Sequence, residues 1–147
     1  MKASQKAIDL IKSFEGFRPK MYLDSAGLPT IGYGTLIDTK EEQHLMTATI
    51  NEGKAEALLI IDVIMAVERM QPLIKSTLNQ NQFDALVSFA YNVGVTALRK
   101  STLLAKVNAN PNDKTIADEF KKWCKAGGKT VQGLLNRRIK EAELYFS

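Results

Sequence analysis

The spacing of apolar residues changes abruptly at Gly16. Before it, Ala7, Leu10, Ile11 and Phe14 recur at i, i+3, i+4 and i+7, which predicts an amphipathic helix from Ser4 to Glu15. Gly16 suits the position just past a helix end, and Pro19 keeps the helix from resuming. From Pro19 to Gly34 the apolar period falls to two, with Gly27 and Pro29 in the middle. That pattern predicts a β-hairpin, extended by a third short strand near Leu36 and Ile37. A chain that must pack a hairpin against helices belongs to the α+β class, and the remainder makes it mostly helical.

A short helix is expected around Glu41–Met46, followed by a long one from Glu52 to Met70 with Asn51 as N-cap. The run from Leu58 to Val67 is apolar nearly all round, so most of this helix should be covered by other elements. It would connect a small lobe containing the hairpin (residues 16–50) to a larger helical lobe (residues 1–15 and 71–147), the connector being residues 51–70 of a single domain. In the second half, Phe83, Leu86, Val87, Ala90 and Tyr91 form one helical stripe that stops at Asn92-Val-Gly94. Shorter helices are expected at Val95–Lys100, Thr102–Asn108 and Lys114–Cys124, then a loop at Ala126-Gly-Gly128. Leu135, Ile139, Ala142 and Phe146 mark the last helix.

With 147 residues the chain has room for one real core. A lone cysteine, Cys124, leaves no internal disulfide and reads as a small buried side chain. A lone histidine, His44, makes a zinc cluster or a Cys/His pair improbable, so no metal and no cofactor is expected. The start of the chain lacks the apolar segment of a signal peptide, and the Leu58–Val67 run is far short of the ~20 residues that span a bilayer, so no stable membrane insertion is expected. Charge is uneven: residues 1–98 are net −2 and residues 99–147 net +6. The basic part suggests an anionic partner. Its charge is scattered over several helices without a recognition motif, so nucleic acid is not expected.

The region of changing period also holds the candidate chemistry. Glu15 falls in the last turn of the first helix, where the negative end of the dipole disfavours a further negative charge and Phe14 and Phe17 lie beside it in sequence. Asp24 precedes Ser25-Ala26-Gly27, a turn that an aspartate commonly serves through its own backbone. Thr30, Gly32 and Gly34 alternate on one strand, so one face of the hairpin is left bare beside the threonine, as in a cleft floor. Singly, each residue reads as helix end, turn or strand. Together, two carboxylates in unlike settings suit cleavage of a glycosidic bond, with Glu15 protonating the leaving oxygen, Asp24 holding a water as base and Thr30 orienting it.

The stretch from Glu15 through Asp24 and Thr30 to Gly34 resembles the signature of the phage-type lysozymes, the endolysins of glycoside hydrolase family 24. Two later blocks are similar as well: Gln80 to Gly94, and Gly133-Leu-Leu-Asn-Arg-Arg138 with Glu141, Leu144 and Tyr145. The resemblance implies a lysozyme-like fold and an inverting hydrolysis of the bond between N-acetylmuramic acid and N-acetylglucosamine in bacterial peptidoglycan, by a monomer. It implies Glu15, Asp24 and Thr30 as the catalytic residues, with Gly32, Tyr33, Phe89 and Asn92 along the substrate. A protein of this kind would be made in the host cytoplasm and reach the wall through a holin-type pore. The alternatives are a lytic transglycosylase, which needs no water-activating aspartate, and a lysozyme-like module that binds glycan without cutting it. Thr35 departs from the pattern, standing where many members of the family carry histidine.

Overall fold

The computed structural model describes residues 1–147. The first helix, α1, runs from Gln5 to Glu15 and begins at Ser4, whose hydroxyl accepts from the Lys6 N–H. Gly16 stops it at φ 72°, a conformation that costs glycine nothing. Ser4 is itself anchored: its N–H donates to the buried Asp84 carboxylate at 2.9 Å, and its hydroxyl donates to the other oxygen. One cap thus starts a helix and docks it at the same time.

Three antiparallel strands follow in the order β1 (Arg18–Leu23), β2 (Pro29–Gly32) and β3 (Thr35–Leu36), so the expected hairpin and its third strand are present. Tyr22 pairs with Thr30, Thr30 with Leu36, and the β1–β2 register shifts between Arg18 and Tyr22. The segment expected as a short helix is a 3₁₀ turn, Lys40–Met46. The long helix α2 spans Glu52–Met70, and its Asn51 cap accepts from the Lys54 N–H at 2.8 Å.

One side of α2 carries the sheet: an added Cβ on Gly32 would meet the Ala55 methyl at 3.1 Å, so strand and helix approach as closely as a glycine permits. Ala55, Leu59, Val63, Val67 and Met70 are buried. The expectation that α2 is mostly covered fails on the opposite side. Ile60, Ile61, Ile64 and Met65 are 38–57% exposed. No helix is long and apolar enough to cross a membrane.

Helix α3 (Gln80–Val93) opens with a capping box between Asn79 and Gln82. Every residue from Gln82 to Ala90 is buried, so α3 is the axis of the helical part. Around it lie α4 (Val95–Lys100), α5 (Thr102–Ala109), α6 (Ile116–Lys121) and α7 (Gln132–Tyr145). Helix α6 is shorter than the span expected from Lys114 to Cys124. The Ala126-Gly-Gly128 loop is the turn of a second small hairpin, β4 (Lys125–Ala126) with β5 (Lys129–Thr130). Cys124, expected to be buried, is half-buried.

Candidate functional site

Glu15 is the last residue of α1, and its side chain lies between α7 and the turn at Gly34. Its Oε1 accepts from Nη1 of Arg137 at 2.9 Å. The acid side chain is 23% exposed and the arginine 4%, so the pair sits at a boundary with one partner inside. Gly34 lies on the other side of Glu15: an added Cβ there would be 3.1 Å from Oε2 and 3.3 Å from the Tyr91 hydroxyl. With φ at +90°, this position favours a glycine backbone, and an added methyl group would crowd both neighbours. Phe14 borders the Arg137 guanidinium at 5.7 Å, whereas Phe17 turns away to pack on Tyr33.

Asp24 closes its own turn. Its Oδ1 accepts from the N–H groups of Ala26 and Leu28, both at 2.9 Å, and its backbone accepts from Gly27. Both side-chain bonds fall on one oxygen, which leaves Oδ2 for another partner. Thr30 is 2% exposed and donates its hydroxyl to the Leu28 carbonyl at 2.9 Å, so its lone pairs remain as acceptors.

Tyr22 joins these parts. It is the register partner of Thr30, and burial pushes its phenol up, with Glu15 and Asp24 adding to the shift and Arg18 opposing it. Both carboxylates thus act on this one phenol. The Arg18 guanidinium lies 4.1 Å from the Tyr22 ring.

The bared strand face expected from Thr30, Gly32 and Gly34 does not form. Gly32 and Gly34 have φ of +67° and +90°, which breaks the pleat, so their positions diverge. Gly32 is packed on Ala55, and only Gly34 faces Glu15. Two other residues expected along the substrate are internal. Phe89 is fully buried, edge-on to Phe120 and Trp123 at 5.7 and 5.5 Å, and serves the core. Tyr33 is 5% exposed beneath Phe17, and its carbonyl accepts from the Tyr91 hydroxyl at 2.9 Å. Asn92, in the last turn of α3, is exposed.

Several residues at the site were missed from the sequence. The Tyr91 phenol is held well above its ordinary value by burial, reinforced by Asp62 and Glu15. Asp62, on α2, has its carboxyl pushed up to about 6, chiefly by burial. The Thr35 hydroxyl opposes this shift from β3 but makes no hydrogen bond of normal geometry.

Behind Arg137 stands a buried charge cluster. Glu141 is fully buried and accepts from the Ser88 hydroxyl at 2.6 Å. It lies 3.4 Å from Arg137 Nε and 2.7 Å from Arg138 Nε. Burial pushes the Glu141 carboxyl up, and Arg138, Arg137 and Ser88 oppose that push. With two guanidiniums this close, the carboxylate is the form the cluster accommodates. The signal in sequence was the i, i+3 and i, i+4 spacing of Arg138 and Arg137 to Glu141.

A recess of about 520 Å³ lies elsewhere, between the start of the chain and α2, and is lined by Met1, Ile8, Ile60, Ile64 and others but by none of the carboxylates above.

The Phage lysozyme family matches residues 12–141. The chain is 47% identical over 149 residues to the endolysin of Bacillus phage B103, covering 100% of this chain and 55% of that protein. It thus spans little more than half the length of that relative and of the similar endolysin of Bacillus phage PZA. The endolysin of Salmonella phage P22 is 38% identical, covering 100% of this chain and 99% of that protein. Among solved structures, an endolysin from Escherichia coli O157:H7 phage FAHEc1 superposes with a TM-score of 0.88 at 42% identity, covering 100% of this chain and 94% of that one. The muramidase domain of SpmX from Asticaccaulis excentricus superposes with a TM-score of 0.86 at 34% identity, covering 99% and 98%. The fold is lysozyme-like, and the chain belongs to the phage lysozyme family.

Proposed function

We propose that this chain is an endolysin that hydrolyses the β-1,4 bond between N-acetylmuramic acid and N-acetylglucosamine in peptidoglycan, with inversion. The observation that supports the reading is the unlike surroundings of the two carboxylates: Glu15 accepts from the buried Arg137 guanidinium, whereas Asp24 accepts only from the N–H groups of its own turn. Glu15 gives its proton to the departing glycosidic oxygen. Asp24, through the unoccupied Oδ2, takes a proton from a water whose oxygen bonds the anomeric carbon as the old bond breaks. The Thr30 hydroxyl accepts the second hydrogen of that water and aims it. Arg137, already against Glu15, stabilises the carboxylate left after proton transfer. An inverting reaction calls for carboxyl groups roughly 6.5–9.5 Å apart, the gap a water fills.

The same reading treats residues 16–50 as one lobe and the later helices as the other, joined by α2, with a monomer as the working form. Access to the wall comes after release from the cytoplasm through a holin-type pore. The basic charge of residues 99–147 favours retention on the anionic wall.

The test is clearing of purified peptidoglycan by the parent, Glu15→Gln and Asp24→Asn. Hydrolysis predicts new reducing ends and loss of activity in both variants. Clearing by Glu15→Gln at the parent rate would remove Glu15 from the mechanism, and 1,6-anhydro-muramoyl products would replace hydrolysis by transglycosylation.

A further inference from the structure

We propose that Glu141 is a positioning residue for Glu15, acting through Arg137, an inference that rests on Glu15 being the acid. The Arg137 guanidinium has every nitrogen committed. Nη1 donates to Glu15 at 2.9 Å, Nη2 to the Ser88 carbonyl at 3.2 Å, and Nε faces Glu141 at 3.4 Å. A planar fork held at three points can present Nη1 in only one direction. Glu141 is in turn fixed by the Ser88 hydroxyl and by Arg138, so the chain of contacts runs from the core of α3 and α7 to the end of α1.

The arrangement is more than a structural ion pair. Arg138 and Glu141 form a buried ion pair at 2.7 Å, with Arg138 also lying over the Phe89 ring at 5.0 Å. A cluster that served packing alone would need no third charged group. The second guanidinium, Arg137, is instead compensated by an acid at the edge of the fold. Glu15 is therefore aimed by a group that does not touch substrate. The groups that act on or contact it are Arg137 from α7, Tyr91 from α3 and Tyr22 from β1. Lys12, one turn earlier on α1, is occupied with Glu56 and Tyr33. Arg137 is the only one of these in hydrogen-bonding contact with Glu15.

The test uses two variants of the full chain, each checked for folding by circular dichroism and thermal melting. Arg138→Met/Glu141→Met removes the neutral pair together and leaves an apolar filling, a replacement that buried ion clusters tolerate. Glu141→Gln keeps the shape and the Ser88 contact while removing the charge. Steady-state cleavage of a soluble peptidoglycan fragment is expected to show kcat lowered on the order of 10- to 100-fold, the scale of a misplacement of about 1 Å, with KM within about threefold of the parent. A folded variant of either kind with kcat within about twofold of the parent, or with a loss carried wholly by KM, would overturn the proposal. Glu15→Gln measured alongside separates the two readings. If that variant is inactive while the Glu141 variants are fully active, only the positioning role falls. If it is fully active, the assignment of Glu15 falls with it.

Discussion

Gly34 stands against Glu15 so closely that a single methyl group on it would sit 3.1 Å from the carboxylate oxygen. The backbone there is also left-handed, at φ +90°. Gly34→Ala therefore carries two penalties. Strain in the backbone is expected to cost about 1–3 kcal/mol, read as a lower melting temperature. Displacement of Glu15 is expected to cut peptidoglycan clearing by an order of magnitude or more, roughly the effect of an ångström-scale shift. A stable variant with parental clearing would show that the carboxylate has room the packing denies it.

Tyr91→Phe removes the hydroxyl that donates to the Tyr33 carbonyl, a contact across 58 residues of sequence. The buried acceptor left behind should cost about 1–3 kcal/mol of unfolding free energy. Hydrogen exchange gives the sharper measurement, because the amides of Gly34 and Thr35 should lose protection while those of α3 keep theirs.

Asp62 carries a pH signature. Its carboxyl is pushed from 3.8 to about 6 in the folded state, so the native protein holds a proton that the unfolded chain has released between those values. Stability from this group is complete below about 4 and is lost as pH rises through about 6. Asp62→Asn is expected to raise unfolding free energy by about 1 kcal/mol at pH 7, after discounting for its partial exposure. The gain should vanish near pH 4. Chemical denaturation at both values checks this, and a gain that grew toward acid would contradict the burial argument.

Phe89 and Asn92 sit one turn apart on α3 and should separate cleanly. Phe89→Ala empties a fully buried aromatic site and is expected to cost about 3–5 kcal/mol, with lost activity following lost fold. Asn92→Ala, on an exposed side chain, should change stability by less than about 0.5 kcal/mol. Any effect of the second substitution should then appear in KM alone.

The elements most legible from sequence were those whose cause is local. Asn51 and the apolar run after it marked both ends of α2, and Gly16 with Pro19 marked the end of α1, because caps and breakers act within a few residues. Asp24 was readable as a turn for the same reason. The β4–β5 hairpin escaped notice because its strands have two residues each and its identity rests on Gly127 and Gly128 being left-handed. The face of Gly32 was misread because strict alternation assumes an unbroken pleat, and two positive φ values break it. Arg137 was invisible as a partner of Glu15 because nothing near either residue refers to the other. The exposed stripe on α2 has the opposite cause: local hydrophobicity predicts burial, but whether anything arrives to cover a face is decided by distant elements.

The two carboxylates are held by parts of the chain that become available at different times. Asp24 is secured by contacts that end at Leu28, so its turn can close as soon as that short segment exists. Glu15 waits for Arg137, which lies 122 residues further on, and for the docking of α7 that carries it. During synthesis the Asp24 turn can therefore form long before Glu15 meets its partner. The Glu15–Arg137 contact is a long-range product of folding, formed only once α7 has docked on the helices before it.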